Sequence, residues 1–312
     1  MEAGDRQITL TQDLFEPVET SARDAEELSG RPVGFWGDAW RRLKRDRIAL
    51  VAGGIIFLVF ILAVVGPWLT PYTPIAQDLE RQYREPSLSG FWFGTDEFGR
   101  SMFDRVWVGT RVSLYIALLA TALDMSIGMS YGAISAYYGG RVDNVMQRII
   151  EVLVGIPNLV VIILMMLILE PGIIAITLAL TITGWTSSAR LIRGQVLRLK
   201  EQEFFLASRA LGAGTFRLIA KHLIPNVFYI VIITLMFTVP SAVFFEAFLS
   251  FIGLGIQPPN ASLGALINDG ADQMRYYPYL LIFPAIVLAL ITVSFRLLGD
   301  GLRDALDPRM RK

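Results

Sequence analysis

The fold is decided by the stretch EFFLASRALGAGTFRLIAKHLIPN, residues 203–226, which lies between two long apolar segments. Gly212 permits a backbone turn that bulkier residues avoid, which predicts two short helices joined at this glycine. Pro225 lacks a backbone N–H, so we expect the chain to change direction there as it enters the next apolar segment. We call this stretch the elbow. It is predicted to project from one face of a membrane protein, where another protein can bind it.

The hydrophobic content of the chain places it in a membrane. Of its 312 residues 54% are hydrophobic, and residues 48–69 contain no ionisable side chain. A helix of this length rises about 33 Å, enough to cross the hydrocarbon core of a bilayer. The apolar runs are continuous and do not alternate with polar residues, which favours helices over the strands of a β-barrel.

Six apolar segments have the length of a span, and the predicted fold class is an all-α integral membrane protein with six transmembrane helices. The segments are residues 48–69, 112–134, 149–169, 172–189, 226–248 and 279–298. Residues 1–40 are predicted to be a flexible acidic cytoplasmic tail, and residues 41–92 the first transmembrane helix with the start of an outer loop. Residues 93–312 form the predicted transmembrane domain with five core helices.

The distribution of charge predicts the orientation. Five basic residues, called the collar below, precede the first span: Arg41, Arg42, Lys44, Arg45 and Arg47. Basic residues beside a span favour the cytoplasmic side, so the N-terminus is predicted to be cytoplasmic, and six spans bring the C-terminus to the same side. The loop from 190 to 222, which contains most of the elbow, is also basic and falls inside. The predicted outer loop 70–111 fits least well, because it holds five basic residues against six acids.

The sequence offers no catalytic or metal-binding pattern. Cysteine is absent and the single histidine, His222, cannot make a metal site alone. There is no phosphate-binding GxxxxGK[ST] loop and no HExxH motif. We therefore predict a protein that is not an enzyme, binds no cofactor or metal and does not bind nucleic acid. The energy for any transport comes from a partner ATPase or from an ion gradient.

Four residues within the apolar segments are candidates for a translocation path: Asp124, Glu151, Pro157 and Glu246. Charge inside the hydrocarbon is costly, so each carboxylate either faces a wet path or pairs with a neighbour in the bundle. Buried pairing that fixes helix packing is an equally open interpretation. A proline at 157 frees a backbone carbonyl, as suits a helix that bends around a cavity.

Several motifs resemble those of bacterial ATP-driven importers. Residues 207–212, ASRALG, followed by Ile219 and by IPN at 224–226, resemble the EAA loop of their permease subunits. Residues 94–114, 253–264 and 299–309 resemble segments of one permease of dipeptide, oligopeptide and nickel importers. The resemblance extends over residues 93–311. The elbow departs from the motif at Leu206, Ser208 and His222, where the family has Glu, Ala and Ile.

This resemblance implies the permease fold of type I ABC importers in the bacterial cytoplasmic membrane. The implied partners are a second related permease, two ATPase subunits that hold ATP and Mg²⁺, and an extracellular substrate-binding protein. A coupling loop at about 200–225 would contact an ATPase. Its implied contact residues are Ala207, Ser208, Arg209, Ala210, Leu211, Gly212, Ala213 and Pro225. Peptides are the expected substrate; a nickel permease of the same family and a secondary transporter are the alternatives.

Overall fold

The computed structural model describes residues 34–88 and 90–306. Within these residues the regular secondary structure is helical. Most of the predicted acidic tail, residues 1–33, and the end of the chain, residues 307–312, lie outside the described residues. The described part contains ten main helices: α1 (Phe35–Leu43), α2 (Arg47–Val65), α3 (Met102–Tyr138), α4 (Gly140–Gly155), α5 (Asn158–Ile168), α6 (Ile173–Lys200), α7 (Glu203–Ala210), α8 (Thr215–Phe251), α9 (Leu263–Asp272) and α10 (Tyr279–Leu306).

Four of the described helices are long and apolar enough to cross a membrane, and a bent pair could provide a fifth span. The four are α2 with the turn that follows it, α3, α8 and α10, and the pair is α4 with α5. The all-helical membrane fold is confirmed, but the count is four or five where the sequence predicted six. The helix that does not qualify is α6, which is 28 residues long. The sequence of α6 contains several threonines and serines, whose polar side chains lower the mean hydropathy of the helix.

The predicted third span, residues 149–169, bends sharply at Pro157, as the proline indicated. Helices α4 and α5 meet at an angle of 81°. Ile156 is extended, with φ −92° and ψ 129°, and Pro157 follows it as the residue before α5. The physical reason is the proline ring, which disfavours helical geometry in the preceding residue.

Helices α3 and α6 pack closely through glycines. A Cβ atom on Gly128 or Gly132 would lie closer than 3.0 Å to atoms of Ser188 or Ala189 on α6. Two glycines four residues apart on one helix face allow such close backbone approach in membranes. This glycine pair therefore lets α3 and α6 approach each other closely.

The loop before α3 is ordered by buried charges. Asp96 accepts a hydrogen bond of 2.6 Å from Arg100 Nε, and its other oxygen accepts the backbone N–H of Arg100 at 2.9 Å. Arg105 Nε lies 3.4 Å from the same carboxylate. The Tyr279 hydroxyl of α10 donates to the Thr95 carbonyl at 2.9 Å. Buried ion pairs thus order this loop, and the loop is also tied to the start of α10.

Candidate functional site

The elbow turns at Gly212, as predicted. Gly212 has φ +79°, a conformation that residues with a Cβ rarely adopt. Its N–H donates to the Arg209 carbonyl at 3.0 Å, and the N–H of Ala213 donates to the Ser208 carbonyl at 3.1 Å. These two bonds form a Schellman motif, which satisfies the last carbonyls of α7 and sends the chain back toward the membrane.

The inner side of the elbow is anchored in a hydrophobic cluster. Phe205 on α7 and Leu218 and Leu223 on α8 are buried. They belong to one cluster with residues of α3, α6 and α8: Met125, Ala133, Ala136, Ile192, Val196, Val227 and Val231. The elbow is thus packed against the helices that it connects.

The outer side of the elbow, by contrast, exposes large apolar residues at its tip. Leu211 is 88% exposed and Phe216 is 84% exposed, while Leu206 is about half exposed. Of the residues that the family resemblance marks as contacts, Ser208 and Ala213 are half-buried; Ala207, Arg209, Ala210, Leu211, Gly212 and Pro225 are exposed. A cluster of apolar and basic side chains at an exposed turn is typical of a surface that a partner covers.

A set of polar contacts, which we call the clamp, ties the elbow and the end of α6 to the end of α3. The Tyr137 hydroxyl lies 3.0 Å from Thr215 Oγ1, at the start of α8. Lys200 Nζ donates to the carbonyls of Ala136 and Tyr137 at 2.7 and 2.9 Å. Burial lowers the pKa of Lys200, and the nearby Arg209 lowers it further. A cation at the C-terminus of α3 satisfies carbonyls that have no partner within the helix.

An ion pair extends these contacts to α4. Arg193 on α6 donates to both oxygens of Asp143 on α4, at 2.6 and 2.5 Å. The Ser135 hydroxyl on α3 donates to Asp143 Oδ1 at 2.5 Å. A bidentate arginine–carboxylate pair fixes orientation as well as distance. Three helices that precede the elbow therefore meet at one polar junction, which hydropathy and motif reading did not predict.

Pro225 does not redirect the chain, which corrects the sequence prediction. The chain stays helical from Thr215 to Phe251, and the segment Leu218–Leu223 just before the proline is π-helical. The Asn226 side chain donates to the His222 carbonyl at 2.6 Å. The wider turn and the asparagine amide together accommodate a proline, which cannot donate a backbone hydrogen bond.

The two buried carboxylates predicted for the translocation path have different surroundings. Asp124 on α3 is 5% exposed and lies against Gly184 of α6, and its Oδ1 has no hydrogen-bond partner among the described residues. Glu246 on α8 is completely buried. Its Oε1 accepts a bond of 2.9 Å from Ser250, and its Oε2, like Oδ1 of Asp124, has no hydrogen-bond partner among the described residues. Neither carboxylate lines an open surface of this chain.

The other two path candidates lie on the surface. Glu151 on α4 is exposed and accepts a hydrogen bond of 2.7 Å from Arg148. Pro157 is exposed at the break between α4 and α5. An exposed pair three residues apart on a helix contributes little to stability. The role of all four residues in a path stays a prediction.

The helical membrane bundle has the fold of the membrane component of a solved ABC transporter. A solved structure, the MetNI methionine ABC transporter in inward-facing conformations, shares the fold with a TM-score of 0.52 at 19% identity, covering 65% of this chain and 94% of that chain. The chain belongs to the family of binding-protein-dependent transport system inner membrane components, whose model matches residues 128–312. A second model, the N-terminal TM domain of oligopeptide transport permease C, matches residues 34–86. The protein is therefore a multi-pass inner membrane protein.

Curated relatives match nearly the whole chain. The dipeptide transport system permease protein DppC of Bacillus subtilis is 46% identical over 93% of this chain and 91% of its own length. The oligopeptide transport system permease protein OppC of the same organism is 44% identical over 97% of this chain and 99% of its own length. The OppC protein of Escherichia coli K12 is 38% identical over 94% of this chain and 97% of its own length.

Proposed function

We propose that the chain is the permease subunit of an ATP-driven importer that moves peptides across the bacterial cytoplasmic membrane. The dipeptide and oligopeptide permeases to which it is similar support peptides as the substrate. The observation that carries the coupling mechanism is the exposed apolar tip of the elbow, with Leu211 and Phe216. An exposed apolar patch of this kind marks a surface that a partner protein can bury.

In this mechanism the tip enters a groove on one of two ATPase subunits, which hold ATP and Mg²⁺. The ATPases close and open as they bind and hydrolyse ATP, and each elbow follows as a rigid body. Ala207 and Ala210 let α7 approach the partner closely, and Arg209 adds a charged contact at the rim. The clamp and the Asp143–Arg193 pair transmit the displacement to α3, α4 and α6.

A second related permease completes the translocation path, and an extracellular binding protein delivers the peptide to it. Glu151 and Pro157 are available on the surface of this chain to line the path. Asp124 and Glu246 reach it only if the helices that bury them move apart. The basic residues of the elbow and the collar support a cytoplasmic location for both, and we propose the same location for the two termini.

The docking step is tested by truncating the tip. We expect Leu211→Ala and Phe216→Ala each to weaken binding of the partner ATPase by about tenfold, because each removes most of a large apolar side chain that the partner would bury. The matched control is Leu88→Ala, because Leu88 is 97% exposed in the loop before α3. Binding of purified ATPase to the permease pair in nanodiscs gives the affinities. Wild-type affinity in both tip variants would remove the elbow from the ATPase interface.

The substrate and energy source are tested in vesicles that hold the chain with its second permease and the ATPases. With the binding protein outside and ATP inside, we expect accumulation of dipeptides or oligopeptides. Nickel uptake without peptide uptake would assign the chain to the nickel branch of the family. Accumulation by the chain alone, driven by an ion gradient, would instead make it a secondary transporter.

A further inference from the structure

Helix α1 lies against the end of α10, in the region where the first span leaves the membrane. Ala39 and Leu43 on one side of α1 are buried, and Leu43 packs with Leu298, Leu302 and Ala305 of α10. Trp36 and Trp40, one turn apart, are 53% and 56% exposed. Exposed tryptophans next to a membrane-spanning helix mark the level of the lipid headgroups. Helix α1 is thus placed as an interfacial helix.

An apolar groove runs between α2 and α10 from the level of α1 into the hydrocarbon region. Its volume is about 510 Å³, within the range of about 300–1,000 Å³ that ligand sites occupy. Arg47, at the start of α2, is the one charged residue among the described residues that line it. The remaining lining is almost entirely apolar: Ile48, Val51, Ala52, Ile55, Ile286, Ala289, Leu290, Val293, Ser294 and Leu297.

The groove opens beside an excess of positive charge. A neighbouring polar cavity is lined by Arg41, Arg42 and Arg45 of the collar together with three aspartates. Two of the aspartates are occupied: Asp38 pairs with Arg42 at 2.9 Å, and Asp46 caps α2 by accepting the backbone N–H groups of residues 48 and 49. Among the described residues, no carboxylate lies within 4.0 Å of the charged nitrogens of the collar's other four cations. Asp304 is the third aspartate and offsets only part of this charge.

We infer that this groove binds an anionic phospholipid from the leaflet on which α1 lies. One acyl chain occupies the groove between α2 and α10. Arg47 holds the phosphate, and the other basic residues of the collar add to the attraction. Arg47 lies at the end of the apolar groove that faces the lipid headgroups. This arrangement complements an anionic lipid, whose charged phosphate is followed by a hydrocarbon chain. A transmembrane helix of a partner subunit fits less well, because it could fill the apolar groove but would leave the charge of Arg47 unused. The inference does not depend on the identity of the transported substrate.

Retention of lipid by the purified transporter complex tests this inference. The complex in detergent is titrated with phosphatidylglycerol or phosphatidylcholine, and bound lipid is counted by native mass spectrometry. We expect preferential binding of phosphatidylglycerol, weakened about fivefold by Arg47→Gln, the loss expected for one basic residue at an anionic headgroup. Arg47→Lys is expected to retain most of the binding.

Two controls separate this site from general attraction of lipid. Arg275→Gln removes an exposed cation near the opposite end of α10 and should leave binding unchanged. Ala289→Phe fills the groove and should displace the lipid. Ile61→Phe is its matched control, because it enlarges an exposed side chain of α2 outside the groove and should leave lipid binding unchanged. Equal binding of the two lipids, or equal losses in Arg47→Gln and Arg275→Gln, would overturn the inference. The inference would also be overturned if a cross-linking group introduced at position 289 reacted with the second permease and not with lipid.

Discussion

Two glycines near the tip of the elbow differ in what they require of the backbone. Gly212 has φ +79°, whereas Gly214 has φ −67° and ψ 157°, an extended geometry that any residue adopts. Neither would place a Cβ within 4 Å of another atom. The two positions therefore differ in backbone conformation and not in available space.

This difference makes a matched pair of substitutions. We expect Gly212→Val to strain the turn by about 1–2 kcal/mol, because a β-branched residue tolerates positive φ poorly, and so to reorient the tip. Uptake per ATP hydrolysed in reconstituted vesicles should fall severalfold, while membrane insertion stays normal. Gly214→Val should behave nearly as wild type. Equal coupling ratios in the two variants would count against a role for the turn.

At the scale of helices, the contact between α3 and α6 depends on backbone proximity. Gly132 of α3 faces the backbone of α6, whereas Gly194 of α6 has no atom within 4 Å of a Cβ position. A methyl group at 132 must therefore push the helices apart, and one at 194 enters open space.

We accordingly expect Gly132→Ala to destabilise the protein by about 1–3 kcal/mol through overpacking. Gly194→Ala should be neutral, or stabilising by up to about 1 kcal/mol from helix propensity. Thermal unfolding of the purified complex in detergent measures both. If Gly132→Ala raised the melting temperature as much as Gly194→Ala, the close approach of the two helices would be wrong.

The clamp gives a second prediction at this scale. Tyr137→Phe removes one hydroxyl, and the hydrogen bond to Thr215 is worth about 1 kcal/mol. We expect backbone amides of the elbow to exchange with deuterium about fivefold faster, with reduced uptake per ATP. Lys200→Met should act in the same direction, because the last carbonyls of α3 lose their donor.

The control for the clamp is Tyr138→Phe, since Tyr138 is adjacent but largely exposed. A purely structural clamp would change exchange rates without altering the coupling ratio. That outcome would separate stabilisation of the elbow from transmission of movement.

At the scale of the whole molecule, the membrane crossing by α8 decides whether the elbow and the loop after α8 lie on opposite sides of the membrane. Helix α8 is long and apolar enough to cross a membrane on its own, and such a crossing puts its two ends on opposite faces whatever the total number of spans. Ala210 in the elbow and Asn260 after α8 are both exposed. The elbow end is the proposed cytoplasmic side.

The absence of native cysteine makes this arrangement directly measurable. We expect a cysteine at Asn260 to react with a membrane-impermeant maleimide in intact cells, and a cysteine at Ala210 to react only after permeabilisation. Labelling of both from the same side would contradict the crossing by α8. Labelling with the sides reversed would contradict the proposed orientation alone.

The sequence by itself determined the membrane class, the apolar segments and the turn at Gly212, because hydropathy and backbone preference are properties of neighbouring residues. It was wrong at Pro225, because a π-helical turn carries α8 through the proline. It predicted six spans where four or five of the described helices qualify, because threonines and serines lower the hydropathy of α6. Only the tertiary structure decided that Asp124 and Glu246 are buried, that Tyr137 reaches Thr215, 78 residues away, and that α2 and α10 enclose a groove. These features depend on which helix faces meet, and that is set by packing between segments distant in the chain.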